Sequence, residues 1–212
     1  MEADERLEVE AEVLGWLKGK LPVPKVYYYD EHEGTEYLLM AEIAGWQAKS
    51  PEILSSPSEL GRLMGKGLKE IHRLDVSNCP FDQSLGVRIA TARHRVTQGL
   101  VDEDDFEPEY RGKTAAELLK KIEEGRPGKE DKVFTHGDYS LANLIVGNGK
   151  LQGCIDWGRA GVADRHQDLG IAIRTLRNNA GLEAVDAFKE AYGVEWFDSD
   201  KIAYFILMDE LF

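Results

Sequence analysis

The 212-residue sequence predicts an α+β protein, with one helix and a β-hairpin at the N-terminal end and a mainly helical remainder. Several stretches place apolar residues at helical spacing. Two runs rich in Val, Tyr and Leu flank a polar turn near the N-terminus, as the strands of a hairpin do. A second pair of short apolar runs flanks Gly147-Asn148-Gly149, a turn suited to a two-stranded hairpin.

Over residues 5–18, Leu7, Val9, Val13, Leu14 and Leu17 lie among acidic residues, an amphipathic helix that Pro22 and Pro24 end. Val26-Tyr27-Tyr28-Tyr29 reads as a strand, Asp30 to Gly34 as a polar turn and Tyr37-Leu38-Leu39-Met40 as the return strand. Gly45, Gln47, Ser50 and Pro51 mark a linker, so the chain divides near Ala44 into lobes 1–44 and 45–212. Pro57 to Leu74 is helical through Leu60, Leu63, Met64, Leu68 and Ile71, with Ser58 as the expected N-cap. Residues 75–86 read as loop, Ile89 to Leu100 as a helix and Val101 to Tyr110 as an acidic loop. Thr114 to Glu124 is a helix with Ala115, Leu118, Leu119 and Ile122 as its stripe. Val133-Phe134-Thr135 is a strand leading into His136. Leu144-Ile145-Val146 and Gly153-Cys154-Ile155 form the second hairpin. Asp168 to Arg177, Gly181 to Tyr192 and Asp200 to Leu211 are the last helices.

Composition narrows the functions. Apolar residues make up 42% of the chain and there are four Trp, enough for a folded core at this length. No apolar run reaches bilayer-spanning length, and Met1-Glu2-Ala3-Asp4-Glu5 is too acidic for a signal peptide. Cys79 and Cys154 have no metal-ligand spacing. Cys154 lies in an apolar stretch and reads as a buried thiol, which fits the cytoplasm. The net charge of −13 argues against nucleic acid and anionic membrane as partners and favours a cationic substrate. Charge serving only solubility explains the same number, so it does not choose.

The chemistry lies in His136-Gly137-Asp138, Asn143 and Asp156-Trp157-Gly158. The Asp-to-Asn spacing is that of H-R-D-x-x-x-x-N in kinases, and a D-x-G follows. Asp138 can accept the proton of an attacking hydroxyl. Asn143 and Asp156 offer the oxygens that magnesium takes beside phosphate oxygens. Both motifs sit at the ends of the second hairpin, which brings its ends together. His136 is expected to brace the loop by hydrogen bonding. Singly the motifs are weak, since H-G-D also makes a tight turn and Asp-Trp-Gly a strand exit. In this order on one frame they point to phosphoryl transfer. The missing Arg of H-R-D and the lack of A-P-E after Asp156 argue against a protein kinase.

These motifs, together with Leu21-Pro22-Val23-Pro24-Lys25-Val26, Tyr37-Leu38-Leu39-Met40, Ala163-Asp164-Arg165 and the ending Ile206 to Phe212, resemble the aminoglycoside 3′-phosphotransferase family. The resemblance runs from the first helix to the last residue. It implies a protein-kinase-like fold, with 1–44 as a remnant of the nucleotide-binding lobe and hinge and 45–212 as the catalytic and substrate-binding lobe. It implies transfer of the ATP γ-phosphate to the 3′-hydroxyl of kanamycin- or neomycin-type antibiotics, hence antibiotic resistance. Asp138 would be the catalytic base, and Asn143 and Asp156 would bind Mg2+. Met40, Ala41, Glu42 and Ile43 would form the hinge that holds adenine. Asp104, Asp105 and Glu107 of the acidic loop would meet the antibiotic's ammonium groups, where composition alone reads a solvated loop. Arg159, Arg174, Glu210 and Phe212, with its terminal carboxylate, would complete the pocket. Asn178 departs from the family, which usually offers an acidic side chain there.

The family has three further strands ahead of the first helix, with a phosphate-covering Gly-rich loop and a Lys. That Lys pairs with a helix Glu matched here by Glu10, and Met1 falls just before that helix. The expectation is therefore weakened ATP binding and turnover. A second is an exposed hairpin edge over 26–40, which another copy would cover as a homodimer. Two alternatives remain open: an inactive remnant that binds aminoglycosides, and a related kinase of choline, homoserine or a glycated amine. The acidic loop and the Asp209-Glu210-Leu211-Phe212 ending favour aminoglycosides.

Overall fold

The computed structural model describes residues 6–212, so Glu5, the first residue of the expected leading helix, lies outside the described residues. Helix α1 (Leu7–Leu17) buries Val13, Leu14 and Leu17 on one face, with Glu10 buried beside them. Its N-cap, Arg6, makes no side-chain capping bond. Glu36 takes over that role from the neighbouring hairpin. Its carboxylate accepts the N–H groups of Leu7 at 3.2 Å and Glu8 at 3.3 Å, and the hydroxyl of Tyr29 at 2.6 Å. A helix N-terminus favours a carboxylate both as an acceptor and through the helix dipole. The hairpin is β1 (Val26–His32) paired antiparallel with β2 (Thr35–Met40). Glu33 and Gly34 both have positive φ, as the tight connection requires. Tyr27, Tyr28, Tyr37 and Leu39 are exposed on this hairpin.

The stretch after residue 44 is more ordered than a linker. Trp46–Gln47 forms β3, and Pro51–Leu54 forms a short helix, α2, with Pro51 in the first turn. Helix α3 (Pro57–Ile71) starts from Ser56, not Ser58, because Pro57 is suited to the first helical position. Ser58 instead hydrogen-bonds Glu183. Helix α4 (Leu85–Gln98) begins ahead of Ile89, where Glu130 accepts the Leu85 N–H at 2.7 Å, and ends at Gly99 in the left-handed region. Helix α5 (Ala115–Glu124) carries a full capping box between Thr114 and Glu117. Strand β4 (Lys132–Thr135) enters the His136 loop. Strands β5 (Leu144–Gly147) and β6 (Lys150–Cys154) form the expected hairpin, and β3 adds to it in the order β3-β5-β6. A strand not anticipated from sequence, β7 (Gly161–Asp164), pairs antiparallel with β4. Three helices close the chain: α6 (His166–Ala180), α7 (Leu182–Tyr192) and α8 (Ser199–Asp209).

Two apolar clusters hold these parts. The larger joins α1, α3, the central strands, α6 and α7; the smaller joins α4, α5 and α8. Helices α3 and α7 meet at their backbones. A Cβ at Gly61 would lie 2.1 Å from Ala184 O, and one at Gly65 would lie 2.5 Å from Phe188 O, so only glycine permits this approach. Among the described residues no helix is long and apolar enough to cross a membrane.

Candidate active site

The His136-Gly137-Asp138 loop is fixed from several sides. Gly137 has φ of 89°, and a Cβ there would sit 2.1 Å from Arg159 O, so the middle of the motif must be glycine. Asp138 N–H donates to His136 Nδ1 at 3.3 Å. The buried His136 ring packs on Trp157 at 4.3 Å between centroids. Burial holds the His136 pKa below its ordinary value, so the ring is a neutral brace. The backbone N–H groups of His136 and Gly137 donate to the buried Asp168 carboxylate at 2.7 and 2.9 Å. Burial alone would raise the Asp168 pKa, but the hydrogen bonds from His72 and from the loop backbone at His136 outweigh it, and the net shift is downward.

Asn143 and Asp156 are brought together by the β5–β6 hairpin. Ile155 N–H donates to Asn143 O at 3.0 Å, one step beyond the pair Leu144 and Cys154. Asn143 Nδ2 donates to Asp138 O at 3.1 Å and to Asp138 Oδ2 at 2.8 Å. That fixes the Asp138 carboxylate and leaves Asn143 Oδ1 as an acceptor. Asp156 has φ of 63°, a conformation that costs a non-glycine residue about 1–2 kcal/mol. It is held there by the Ile155 bond on one side and by Trp157 N–H donating to Glu10 Oε1 at 3.2 Å on the other. Helix α1 thus reaches the D-x-G turn directly. Burial raises the Glu10 pKa against that bond.

A cleft of about 360 Å³ opens in front of Asp138. Asp102, Asp105, Glu107, Asp138, Asp209 and Glu210 line it, against the guanidinium groups of Arg159 and Arg174, with Ser140, Phe106 and Phe212 between. Arg174 is shared by three carboxylates: Asp209, Glu210 at 3.5 Å and Glu107 at 3.7 Å. Burial pushes the Glu210 pKa up to about 7, against the Glu107 N–H and Arg174. Burial also raises Asp138, with the negative charge of Asp209 the next cause. The Phe212 ring lies 3.7 Å from the Arg88 guanidinium and 5.6 Å from that of Arg159.

Residues 2–205 match the phosphotransferase enzyme family. The chain belongs to that family. Among its relatives, an aminoglycoside 3′-phosphotransferase of Niallia circulans is 44% identical over 207 residues, covering 97% of this chain and 79% of the relative. One of Enterococcus faecalis is 36% identical, with 97% and 79% covered. The crystal structure of an aminoglycoside 3′-phosphotransferase of type VIII superposes with a TM-score of 0.91 at 33% identity, covering 97% of this chain and 80% of that one. An aminoglycoside phosphotransferase of Streptomyces rimosus, solved with ADP and streptomycin, gives 0.85 at 27% identity, with 97% and 81% covered.

In this phosphotransferase most of the site residues read from sequence converge. Asp138, Asp105, Glu107, Arg159, Arg174, Glu210 and Phe212 share the cleft. Asp104 does not line it. Its N–H is bound by the Asp102 carboxylate at 3.0 Å, and Asp102 takes the wall position instead. Asn178, the expected departure, donates from Nδ2 to Glu107 Oε1 at 3.1 Å. Met40 pairs with Val26, and Ala41 N–H donates to Lys25 O at 2.8 Å. Glu42 is exposed, and the Ile43 side chain packs against Gly153 of β6, so 40–43 runs beside the hairpin that carries Asn143 and Asp156. Sequence reasoning missed Asp168 and His72, and named Asp209 only as part of the C-terminal motif. The signal for Asp168 was available: an acidic residue directly before the apolar run Leu169 to Ile173.

Proposed function

We propose that this phosphotransferase moves the γ-phosphate of ATP to the 3′-hydroxyl of an aminoglycoside antibiotic, conferring resistance. The observation that carries the reading is a cleft of six carboxylates and two guanidinium groups that ends on Asp138. Such an excess suits a substrate bearing several ammonium groups. Asp138, with Oδ2 held by Asn143, keeps its other oxygen for the substrate hydroxyl and accepts its proton as the phosphoryl group arrives. Asn143 Oδ1 and the Asp156 carboxylate form an oxygen donor set that fits Mg2+, which when bound would neutralise and orient the phosphate oxygens. Residues 40–43 would hold adenine as a hinge between lobes 1–44 and 45–212. ATP supply and two unpaired cysteines fit the cytoplasm. Glu10, which the resemblance matches to the Lys-paired helix Glu, accepts the Trp157 N–H beside Asp156.

The test is incubation with ATP, Mg2+ and kanamycin, followed by ADP release and NMR mapping of the phosphorylated position. Phosphate on the 3′-oxygen is expected, and its loss in Asp138→Asn. Phosphate on another hydroxyl, or transfer only to choline, would overturn the reading. A second reading concerns assembly. The exposed Tyr28, Tyr37 and Leu39 favour a homodimer through the β1–β2 hairpin. Light scattering that gives a monomer would reject it.

A further inference from the structure

A buried polar relay leads away from the Asp138 loop through residues that do not line the cleft, and the chemistry above does not use it. Asp168 heads it, with Oδ1 on Gly137 N–H and Oδ2 on His136 N–H. Oδ2 also lies 3.0 Å from His72 Nε2. His72 Nδ1 is 2.8 Å from the Tyr192 hydroxyl oxygen, and Arg165 Nη1 donates to that same oxygen at 2.9 Å. Arg165 is itself gripped by Asp131, at 2.6 Å from Nε and 3.1 Å from Nη2, and lies 4.2 Å over the Trp196 ring. His72, Asp168 and Tyr192 are all buried.

The protons of this chain can be assigned from donor chemistry. A guanidinium only donates, so the Tyr192 oxygen accepts from Arg165 and its own proton is free for His72 Nδ1. Nδ1 is then the bare nitrogen, and the ring proton sits on Nε2, aimed at Asp168. Each donation runs the same way from the Asp131-bound guanidinium to Asp168, and the loop amides donate to that carboxylate from its other side. A proton on His72 Nδ1 would make the Tyr192 oxygen accept from both neighbours and turn its own proton elsewhere. The positive charge of Arg165 opposes that proton too. Burial, seconded by that charge, holds His72 neutral against the pull of Asp168.

We propose that Arg165 and Tyr192 are positioning residues for the catalytic loop, acting through the His72–Asp168 pair. They fix one tautomer of His72, which fixes the Asp168 carboxylate, which fixes the backbone on either side of Gly137. The consequence for turnover rests on the phosphotransferase reading; the relay itself does not.

The test is nitrogen-15 NMR of His72 together with hydrogen exchange at the His136 and Gly137 amides. The wild type is expected to show neutral His72 with the proton on Nε2 at neutral pH. Arg165→Met, which keeps the stem and removes donor and charge, should bring a proton onto Nδ1 and speed exchange at both amides about tenfold, the scale of one charge-assisted bond. Arg165→Lys, which keeps a cationic donor, should restore most of both. In an active preparation, Arg165→Met should lower kcat with KM unchanged. Wild-type His72 protonated on Nδ1, or Arg165→Met with unaltered His72 signals and amide exchange, would overturn the proposal. Should Arg165→Met fail to fold, Tyr192→Phe is read by the same two amides, and unchanged exchange there overturns it equally. A chain that phosphorylates nothing but shows the expected spectra would sink the functional reading and leave the relay standing.

Discussion

Behind Asp138 and in front of it lie two carboxylate environments in which the same burial ends in opposite net shifts. Behind, Asp168 is fully enclosed yet meets a donor on every side, two amides and His72, and its pKa falls. In front, the Glu210 side chain is also enclosed but shares Arg174 with two other carboxylates, and its pKa rises to about 7. Desolvation acts on both. The outcome depends on how many donors each oxygen finds. The rear carboxylate is spent on holding a backbone, whereas the front ones outnumber the two guanidinium groups they face. That surplus is what a polycationic substrate can use.

The largest test of this contrast is Asp168→Asn. An amide in place of the carboxylate turns an NH2 group toward one of three donors and removes the charge that faces His72. Breaking a buried, fully bonded charge costs about 3–5 kcal/mol, so urea unfolding should show a loss of that order. A loss under about 1 kcal/mol would mean that the rear carboxylate is not the anchor its bonds describe.

Next in size is Glu210→Gln, whose effect depends on pH. The folded pKa of about 7 lies above the ordinary 4.5. The Glu210 contribution to stability is therefore complete below about 4.5 and is lost as pH rises through about 7. The glutamine variant should match the wild type at low pH. Above pH 7 it should be more stable, by an amount on the order of 2–3 kcal/mol. Its Oε1 can still accept the Glu107 N–H that Glu210 now binds at 2.8 Å. Thermal melts of both proteins across pH 4–8 check this; parallel curves would remove Glu210 from the charged front. Kanamycin should narrow the gap, since ammonium groups favour the carboxylate form.

The front of the site was more legible in the sequence than the back. Asp138, Asn143 and Asp156 lie within one loop–hairpin–loop stretch, and a hairpin brings its own ends together. The helix from Thr114 to Glu124 was legible from its own stripe, and its capping box closes within four residues. His72, Asp168 and Tyr192 come from α3's end, α6 and α7, and nothing local marks which buried polar groups will meet. Glu36 capping α1 is similar: the helix is legible, its partner on another element is not. Strand β7 escaped because Gly161-Val162-Ala163-Asp164 is too short to show alternation, and its pairing with β4 supplies what its composition lacks. Within the acidic loop, composition identified only the charge; the resemblance implied Asp104, and Asp102 lines the cleft instead.

The smallest expected effect belongs to Asp209→Asn, and it separates charge from scaffolding. Arg174 keeps Glu210 and Glu107 when Asp209 loses its charge, so stability should change by less than about 1 kcal/mol. Asp209 nevertheless acts on Asp138: after burial, its negative charge is the next cause of the raised Asp138 pKa. Removing that charge favours the ionised base. The acidic limb of the kcat/KM profile should therefore move to lower pH, while the basic limb stays in place. A limb that moves to higher pH, or a stability loss like that expected for Asp168→Asn, would show that the front carboxylates are structural members after all. A shifted limb in a protein of unchanged stability would show that the charge in front of Asp138 tunes the base without holding it.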